Sequence, residues 1–245
     1  MKNLLRWKKV CVPFLILVSG TALAAGESAP QALASLPPLP KAATKDMDCS
    51  AGEKMRQKVE EVTQGMMTAS QMSAAGTPTT SMTPAQMEAL QSLTLPEFNQ
   101  CPIDAMQPAA QGWSVEAENK LEKRLADINK AKMAYDQKWC ETHSTGEMCD
   151  VNPESFKRFN AQAVTAATQF LADVQPGYAK LTKLVGDCIA MRDKPVVAAR
   201  GVSGALGMLA VGADSQNWGL VGMVADAHGK ACERARNAAA TYAGQ

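Results

Sequence analysis

Two cysteines and a histidine lie within ten residues of each other in the segment CETHSTGEMC. Thiolate and imidazole are ligands that Zn²⁺ favours, and Cys140, His143 and Cys149 could supply three of them. A fourth could come from Glu147 or Asp150. The spacing fits zinc motifs poorly, because these usually place two ligands on each side of a longer finger. The alternative is a disulfide between the two cysteines, and the cellular compartment decides between the two interpretations.

The first 24 residues have the pattern of a secretory signal peptide. Four basic residues precede an apolar run from Val10 to Val18, and small residues follow as far as Ala24. This run is about half of the roughly 20 residues that a membrane-spanning helix requires. We therefore predict cleavage after Ala24 and a periplasmic or secreted protein, in a compartment where disulfides form and persist.

The predicted mature chain keeps six cysteines, an even number that three disulfides would use completely: Cys49, Cys101, Cys140, Cys149, Cys188 and Cys232. Six cysteines permit 15 connectivities. An oxidising compartment favours closure of the two nearest thiols over metal binding, which predicts Cys140 with Cys149. The lengths of the first two predicted helices would return Cys101 to Cys49, and this leaves Cys188 with Cys232.

The charge and composition exclude one class of partner and favour one class of fold. Loss of Lys2, Arg6, Lys8 and Lys9 takes four positive charges from a formal net charge of +1 and leaves −3. No basic stripe then remains for nucleic acid. Only 5% of the chain is aromatic, and this favours close-packed helices over a sheet.

The N-terminal half predicts a tether, two helices and an irregular segment. Residues 25–47 contain four prolines without periodicity and are expected to form a flexible tether. A helix should run from Asp48 to Gly76, with an apolar stripe at spacings of three and four. Thr83 and Gln86 form a capping box before a second helix, and residues 97–112 should be irregular.

The C-terminal half predicts longer helices with sharper breaks. Ser114 should cap a third helix that ends near Cys140. A fourth helix should begin after Asn152, with Phe156 among its inward residues; Pro176-Gly177 should separate it from a fifth, which Pro195 interrupts. Asp214 should cap a terminal helix with a buried heptad seam, spaced 3-4-3-4-3-4-3, at Trp218, Val221, Ala225, His228, Cys232, Ala235, Ala239 and Tyr242.

Two further features have an alternative interpretation. His228 and Cys232, four residues apart, could form a catalytic or metal-binding pair, but a core histidine beside a bridged cysteine explains both residues. The weakly charged region 196–225 could contact a membrane, but its apolar pieces are shorter than a span, and a buried helical hairpin is the favoured interpretation.

The sequence thus predicts an all-α, disulfide-stapled antiparallel helical bundle of about five to seven helices in a single domain, residues 48–245, after the signal peptide and the Pro-rich tether. It contains no recognised catalytic motif and implies no cofactor. We expect a non-catalytic protein of the cell envelope that binds another envelope or secreted protein, as an inhibitor or immunity-type binder, a chaperone or an accessory subunit of a secretion, pilus or conjugation apparatus. Glu141, His143 and Glu147 are the candidate recognition loop. The alternative is an exported enzyme or metal-binding protein with a site around His143 or His228.

Overall fold

The protein is described by a computed structural model over residues 27–74, 82–94, 101, 103–145, 148–149, 152–199 and 205–243. The predicted signal peptide lies outside these residues. Seven helices occupy the described part of the chain: α1 (Ala29–Ser35), α2 (Ser50–Ala74), α3 (Pro84–Thr94), α4 (Ile103–Ala110), α5 (Val115–His143), α6 (Pro153–Ala199) and α7 (Ala205–Ala240). The strands β1 (Ser144–Thr145) and β2 (Met148–Cys149) form a short antiparallel ladder between α5 and α6.

The two longest C-terminal helices, α6 and α7, form the centre of the bundle. They run antiparallel, because Arg192 hydrogen-bonds Gln216 at one end and Tyr178 contacts His228 nearer the other. Helix α2 packs along α7, and α5 packs along α6. Three disulfides staple the chain, two between distant parts of the core and one within the connection from α5 to α6, so the predicted all-α, disulfide-stapled bundle is confirmed.

The heptad seam of α7 is buried over its whole length, as predicted. None of its eight residues, from Trp218 to Tyr242, is more than 9% exposed. The small residues of α7 let α2 approach closely: a Cβ atom on Gly52 would lie 2.7 Å from the carbonyl oxygen of Ala225 and 2.8 Å from the amide nitrogen of Gly229. The contact between α2 and α7 is therefore nearly backbone to backbone.

Two helix starts agree with the local cap signals. The Ser114 hydroxyl accepts a hydrogen bond from the Ala117 amide at the start of α5. At the start of α3, the Thr83 hydroxyl accepts from the Gln86 amide while the Gln86 side chain accepts from the Thr83 amide. Both caps satisfy amide groups that the first helical turn leaves unpaired.

The segment predicted as a flexible tether is instead packed on the bundle. Ala29 and Ala32 of α1 are buried, and so are Leu39, Ala43 and Met47 farther along. The Ala43 amide also donates a hydrogen bond to Thr168 of α6. The prediction was wrong because residues 29–35 form a short helix, and the apolar residues of this helix and of the irregular chain after it bury their side chains against the core.

The prolines of α6 do not end the helix, contrary to prediction. One helix of 47 residues passes through Pro176 and Pro195. Val174, Tyr178 and Leu181 are buried and continue one apolar stripe across the first of these prolines. Burial of this stripe offsets the roughly 3 kcal/mol that an interior proline costs a helix.

Three further expectations about the chain are corrected. Residues 97–112 are not wholly irregular, because α4 occupies Ile103–Ala110. Asp214 does not cap a helix, since α7 begins at Ala205 and Asp214 lies buried within it. Phe156 does not point inward and is 38% exposed.

The structure pairs Cys140 with Cys149 as predicted, but the other two predicted bridges are wrong. Cys49 pairs with Cys232, and Cys101 pairs with Cys188. The reason is the position of α3, whose Ala89 and Leu93 bury themselves with Val196 and Ala199 at the end of α6. The chain therefore does not return along α2, and Cys101 reaches α6 instead.

Part of the region 196–225, proposed as a possible membrane contact, packs with Ala89 and Leu93 of α3 in a hydrophobic cluster separate from the main core. Val196, Ala199, Ala210 and Ala213 are buried in it, while Val197, Met208 and Leu209 are exposed. Within the described residues, no helix combines the length and the hydropathy needed to cross a membrane.

Candidate interaction site at the hairpin tip

Helices α5 and α6 continue beyond the end of α7. Just after α7 ends, Tyr242 donates a hydrogen bond from its hydroxyl to the carbonyl oxygen of Leu125, in the middle of α5. Ile128 is the last fully buried hydrophobic residue described in α5, and Phe159 is the first in α6. The described residues from 129 to 160, called here the hairpin tip, therefore form a two-helix extension. The part of α5 in this extension is about 20 Å long.

Aromatic rings join the two helices of the hairpin tip. Tyr135 of α5 meets Phe159 of α6 edge to face, with 5.8 Å between ring centroids. The guanidinium of Arg158 lies 5.2 Å from the centre of the Tyr135 ring, and the ammonium of Lys132 lies 5.0 Å from the centre of the Phe156 ring. These cation–π contacts hold basic groups against apolar rings at the surface.

The hairpin tip exposes apolar side chains that no other part of the described chain covers. Met133 is 65% exposed and Phe156 is 38% exposed. The polar residues around them include the exposed Lys130, Lys157 and Arg158. Exposed Met and aromatic side chains beside arginine are the composition that protein interfaces favour at their centres.

A partly buried ion pair fixes the position of Lys132. Its ammonium lies 2.5 Å from a carboxylate oxygen of Asp136, one turn along α5. Burial alone would raise the pKa of Asp136, but the hydrogen bond from Lys132, the nearby Ser155 hydroxyl and the Lys132 charge lower that pKa. Asp136 therefore stays ionised and keeps Lys132 in place beside Phe156.

The predicted recognition loop lies at the end of the hairpin tip. Glu141 and His143 are exposed in the last turn of α5, whereas Glu147 lies outside the described residues. The His143 imidazole stacks on the Trp139 ring, with 3.6 Å between centroids and planes 1° apart. Its Nδ1 atom is 2.7 Å from the Thr142 hydroxyl. Local contacts thus fix the orientation of this histidine.

The arrangement at Cys140 and Cys149 is not that of a metal centre. Both sulfurs belong to one disulfide, so neither is the thiolate that a zinc site would need. Among the described residues, no group of three His, Cys, Asp or Glu side chains is placed to hold a metal ion.

The second histidine, His228, lies far from the hairpin tip in the bundle core. It is 2% exposed and its ring centroid is 5.9 Å from that of Tyr178. Burial lowers the pKa of His228, and the Pro38 carbonyl partly opposes this effect, although neither ring nitrogen has a well-formed hydrogen bond. Burial also raises the pKa of Tyr178 to about 12. Both rings are therefore neutral at physiological pH, and solvent does not reach the imidazole.

An open groove runs between α5 and α6 below the hairpin tip. Its volume is about 410 Å³. Arg124, one of its lining residues, forms an ion pair of 3.0 Å with Asp173. The lining combines short side chains with charged and amide groups: Arg124, Asp127, Ile128, Ala161, Gln162, Thr165, Ala166 and Gln169. The groove is a surface feature and not the enclosed cleft that excludes water around a reaction.

The loop of the hairpin tip is predictable from the sequence, but the exposure of its apolar side chains Met133 and Phe156 was not predicted. Met133 lies off the buried stripe of α5, and the helical spacing in the sequence already indicates this position. Phe156 was assigned inward because aromatic residues at helical spacing usually are buried. Its exposure could not be inferred without knowing where α7 ends.

Comparison of the chain with family models, with curated proteins and with solved structures found no match.

Proposed function

We propose that this protein is an exported, non-catalytic protein of the cell envelope that binds another envelope or secreted protein through the hairpin tip. The observation that carries the proposal is the exposure of Met133 and Phe156 on a two-helix extension that the rest of the described chain does not cover. Apolar anchors held by a fixed scaffold lose little conformational freedom on binding, which favours affinity.

The proposed location rests on the disulfides and on the N-terminal sequence. Three disulfides, and no membrane-spanning helix among the described residues, are compatible with an extracytoplasmic protein. The basic and apolar pattern of residues 1–24 supports export with cleavage after Ala24. An inhibitor or immunity-type binder, a chaperone and an accessory subunit of an envelope apparatus all act through such surfaces.

A site around either histidine is less well supported. A substrate or metal would have to reach His228 through the packed core, where the side chain is 2% exposed. His143 is accessible, but its ring stacks on Trp139 and the neighbouring cysteines are bridged.

The proposal is tested by crosslinking in cells followed by binding with purified proteins. A photoreactive amino acid at Met133 or Phe156 should capture one specific protein. The same amino acid at Lys183, whose side chain is 75% exposed on the body of α6, should not capture it. Equal capture from all three positions would contradict a binding surface at the hairpin tip.

The captured protein is then purified and its affinity measured. Met133→Asp combined with Phe156→Asp should weaken binding at least tenfold, because a charge replaces each apolar anchor. Met191→Asp is the matched control, since Met191 is also an exposed methionine, 45% exposed, but lies outside the hairpin tip. Unchanged affinity in the double variant would overturn the proposal.

A further inference from the structure

The three disulfides differ sharply in their access to solvent. Cys149 is exposed and Cys140 is half-buried. The four cysteines of the other two bridges are each 4% exposed or less: Cys49, Cys101, Cys188 and Cys232. Thiol–disulfide exchange requires a thiolate to approach one sulfur along the S–S bond, so access to a sulfur limits the rate.

The exposed bridge also lies where opening it would leave the core intact. No described hydrophobic residue from 129 to 158 is fully buried. The bridge closes a loop with a sequence separation of 9, and the ladder beside it consists of two residue pairs, Ser144 with Cys149 and Thr145 with Met148. The other bridges join helices through the main core, where Cys49 and Cys232 pack between α2 and α7.

We propose that the Cys140–Cys149 bridge is a site of thiol–disulfide exchange with an exported dithiol. A thiolate of the dithiol attacks the sulfur of Cys149, the exposed residue of the bridge, a mixed disulfide forms, and Cys140 leaves as a thiolate that takes up a proton from water. The second thiol of the dithiol then attacks the mixed disulfide and releases Cys149. Two electrons reduce the bridge, and the dithiol becomes a disulfide.

Reduction at this site changes the end of the hairpin tip and little else. The segment from Cys140 to Cys149 loses its covalent closure, while its described residues keep the last turn of α5 and the two-pair ladder. Tyr135 and Phe159 continue to join the helices below it. The exchange reaction is independent of whether the hairpin tip binds a partner, so each of the two proposals can fail without the other.

The test uses the folded, oxidised full-length mature protein and dithiothreitol as the dithiol. Samples taken over time are alkylated, and peptide mass spectrometry locates the modified cysteines. We expect modification of Cys140 and Cys149 at least tenfold faster than of the other four cysteines, with unchanged circular dichroism. Amide hydrogen exchange should rise in residues 141–150 and stay unchanged in the buried part of α7.

Two results would overturn the proposal: reduction of all three bridges at similar rates, or loss of helical structure as Cys140 and Cys149 become modified. The Cys140→Ser/Cys149→Ser variant is the control and should lack the fast phase of dithiol consumption. If that variant still consumed dithiol at the fast rate, another bridge would be the reactive one. The reduced wild-type protein gives the fold test directly, whether or not the variant is produced in good yield.

Discussion

His228 is an ionisable side chain that the fold holds in its neutral form. Its ring lies in the seam of α7 against Tyr178, and it is 2% exposed. Burial disfavours the imidazolium ion, because the core cannot replace the water that solvates the charge. The burial that makes this histidine unsuitable as a reactive group links the stability of the bundle to pH.

Acidification below pH 6.5 should destabilise the protein through His228. The folded pKa lies below 6.5, whereas the unfolded chain has a pKa near 6.5 and takes up the proton first. Stability present above pH 6.5 is therefore lost as the pH falls toward the folded pKa. The slope contributed by one group is at most about 1.4 kcal/mol per pH unit. Urea unfolding at several pH values between 5 and 7 measures it.

Substitution of His228 isolates its share of this pH dependence. His228→Leu removes the titrating group and should flatten the dependence of the free energy of unfolding on pH in this window. An equal slope in wild type and His228→Leu would show that His228 does not cause the effect.

Helix α2 depends on a glycine for its contact with α7. A methyl group on Gly52 would lie 2.7 Å from the Ala225 oxygen and 2.8 Å from the Gly229 nitrogen, both backbone atoms that cannot rotate away. The helices would have to separate. Val59 meets Gly222 on the same interface, so the close approach extends over more than one turn.

Gly52→Ala should destabilise the protein by about 1–3 kcal/mol, the usual cost of forcing an extra carbon into a packed contact. Gly65→Ala in the same helix is the matched control, because no atom lies within 4 Å of the added methyl group. It should stabilise the protein by up to about 1 kcal/mol through helix propensity. Thermal unfolding of the two variants measures the difference, and equal stability would contradict a close backbone contact at Gly52.

Local signals in the sequence predicted the helix starts, and the exceptions arose where tertiary contacts outweigh local ones. The Ser114 cap and the Thr83 box need only neighbouring residues, so sequence is sufficient for them. Pro176 is a local break signal, but the buried stripe of α6 on both sides of it keeps the helix continuous. The chain after α1, residues 36–47, has no period, and its burial depends on a surface that distant helices provide.

In the candidate site too, the local features were predictable from the sequence, and the features that depend on tertiary packing were not. The Cys140–Cys149 bridge joins neighbours in the chain and follows from their spacing. The exposure of Phe156 depends on α7 ending beside Leu125, which is a property of the assembled bundle, whereas Met133 is exposed because it lies off the buried stripe of α5. Local signals in the sequence do not show where α7 ends along α5.

At the scale of the whole molecule, the disulfides tie together parts of the chain that are far apart in sequence. Cys49 and Cys232 are separated by 183 residues, and Cys101 and Cys188 by 87. The first bridge joins the start of α2 to the last third of α7 and encloses most of the bundle in one covalent loop. Long-range pairings of this kind depend on how the helices pack, and helix lengths alone led to the wrong partners.

The long and short bridges should therefore contribute unequally to stability. In the chain-entropy estimate, a loop of 183 residues is worth about 5 kcal/mol and a loop of 9 residues about 2.6 kcal/mol, because a longer loop restricts the unfolded chain more. Cys49→Ala/Cys232→Ala should lower the free energy of unfolding by roughly twice as much as Cys140→Ala/Cys149→Ala. Guanidinium unfolding of the two double variants, both with the Cys101–Cys188 bridge intact, measures the ratio. A larger loss from the short bridge would mean that the hairpin tip stabilises the bundle, and that the core does not stand independently of it.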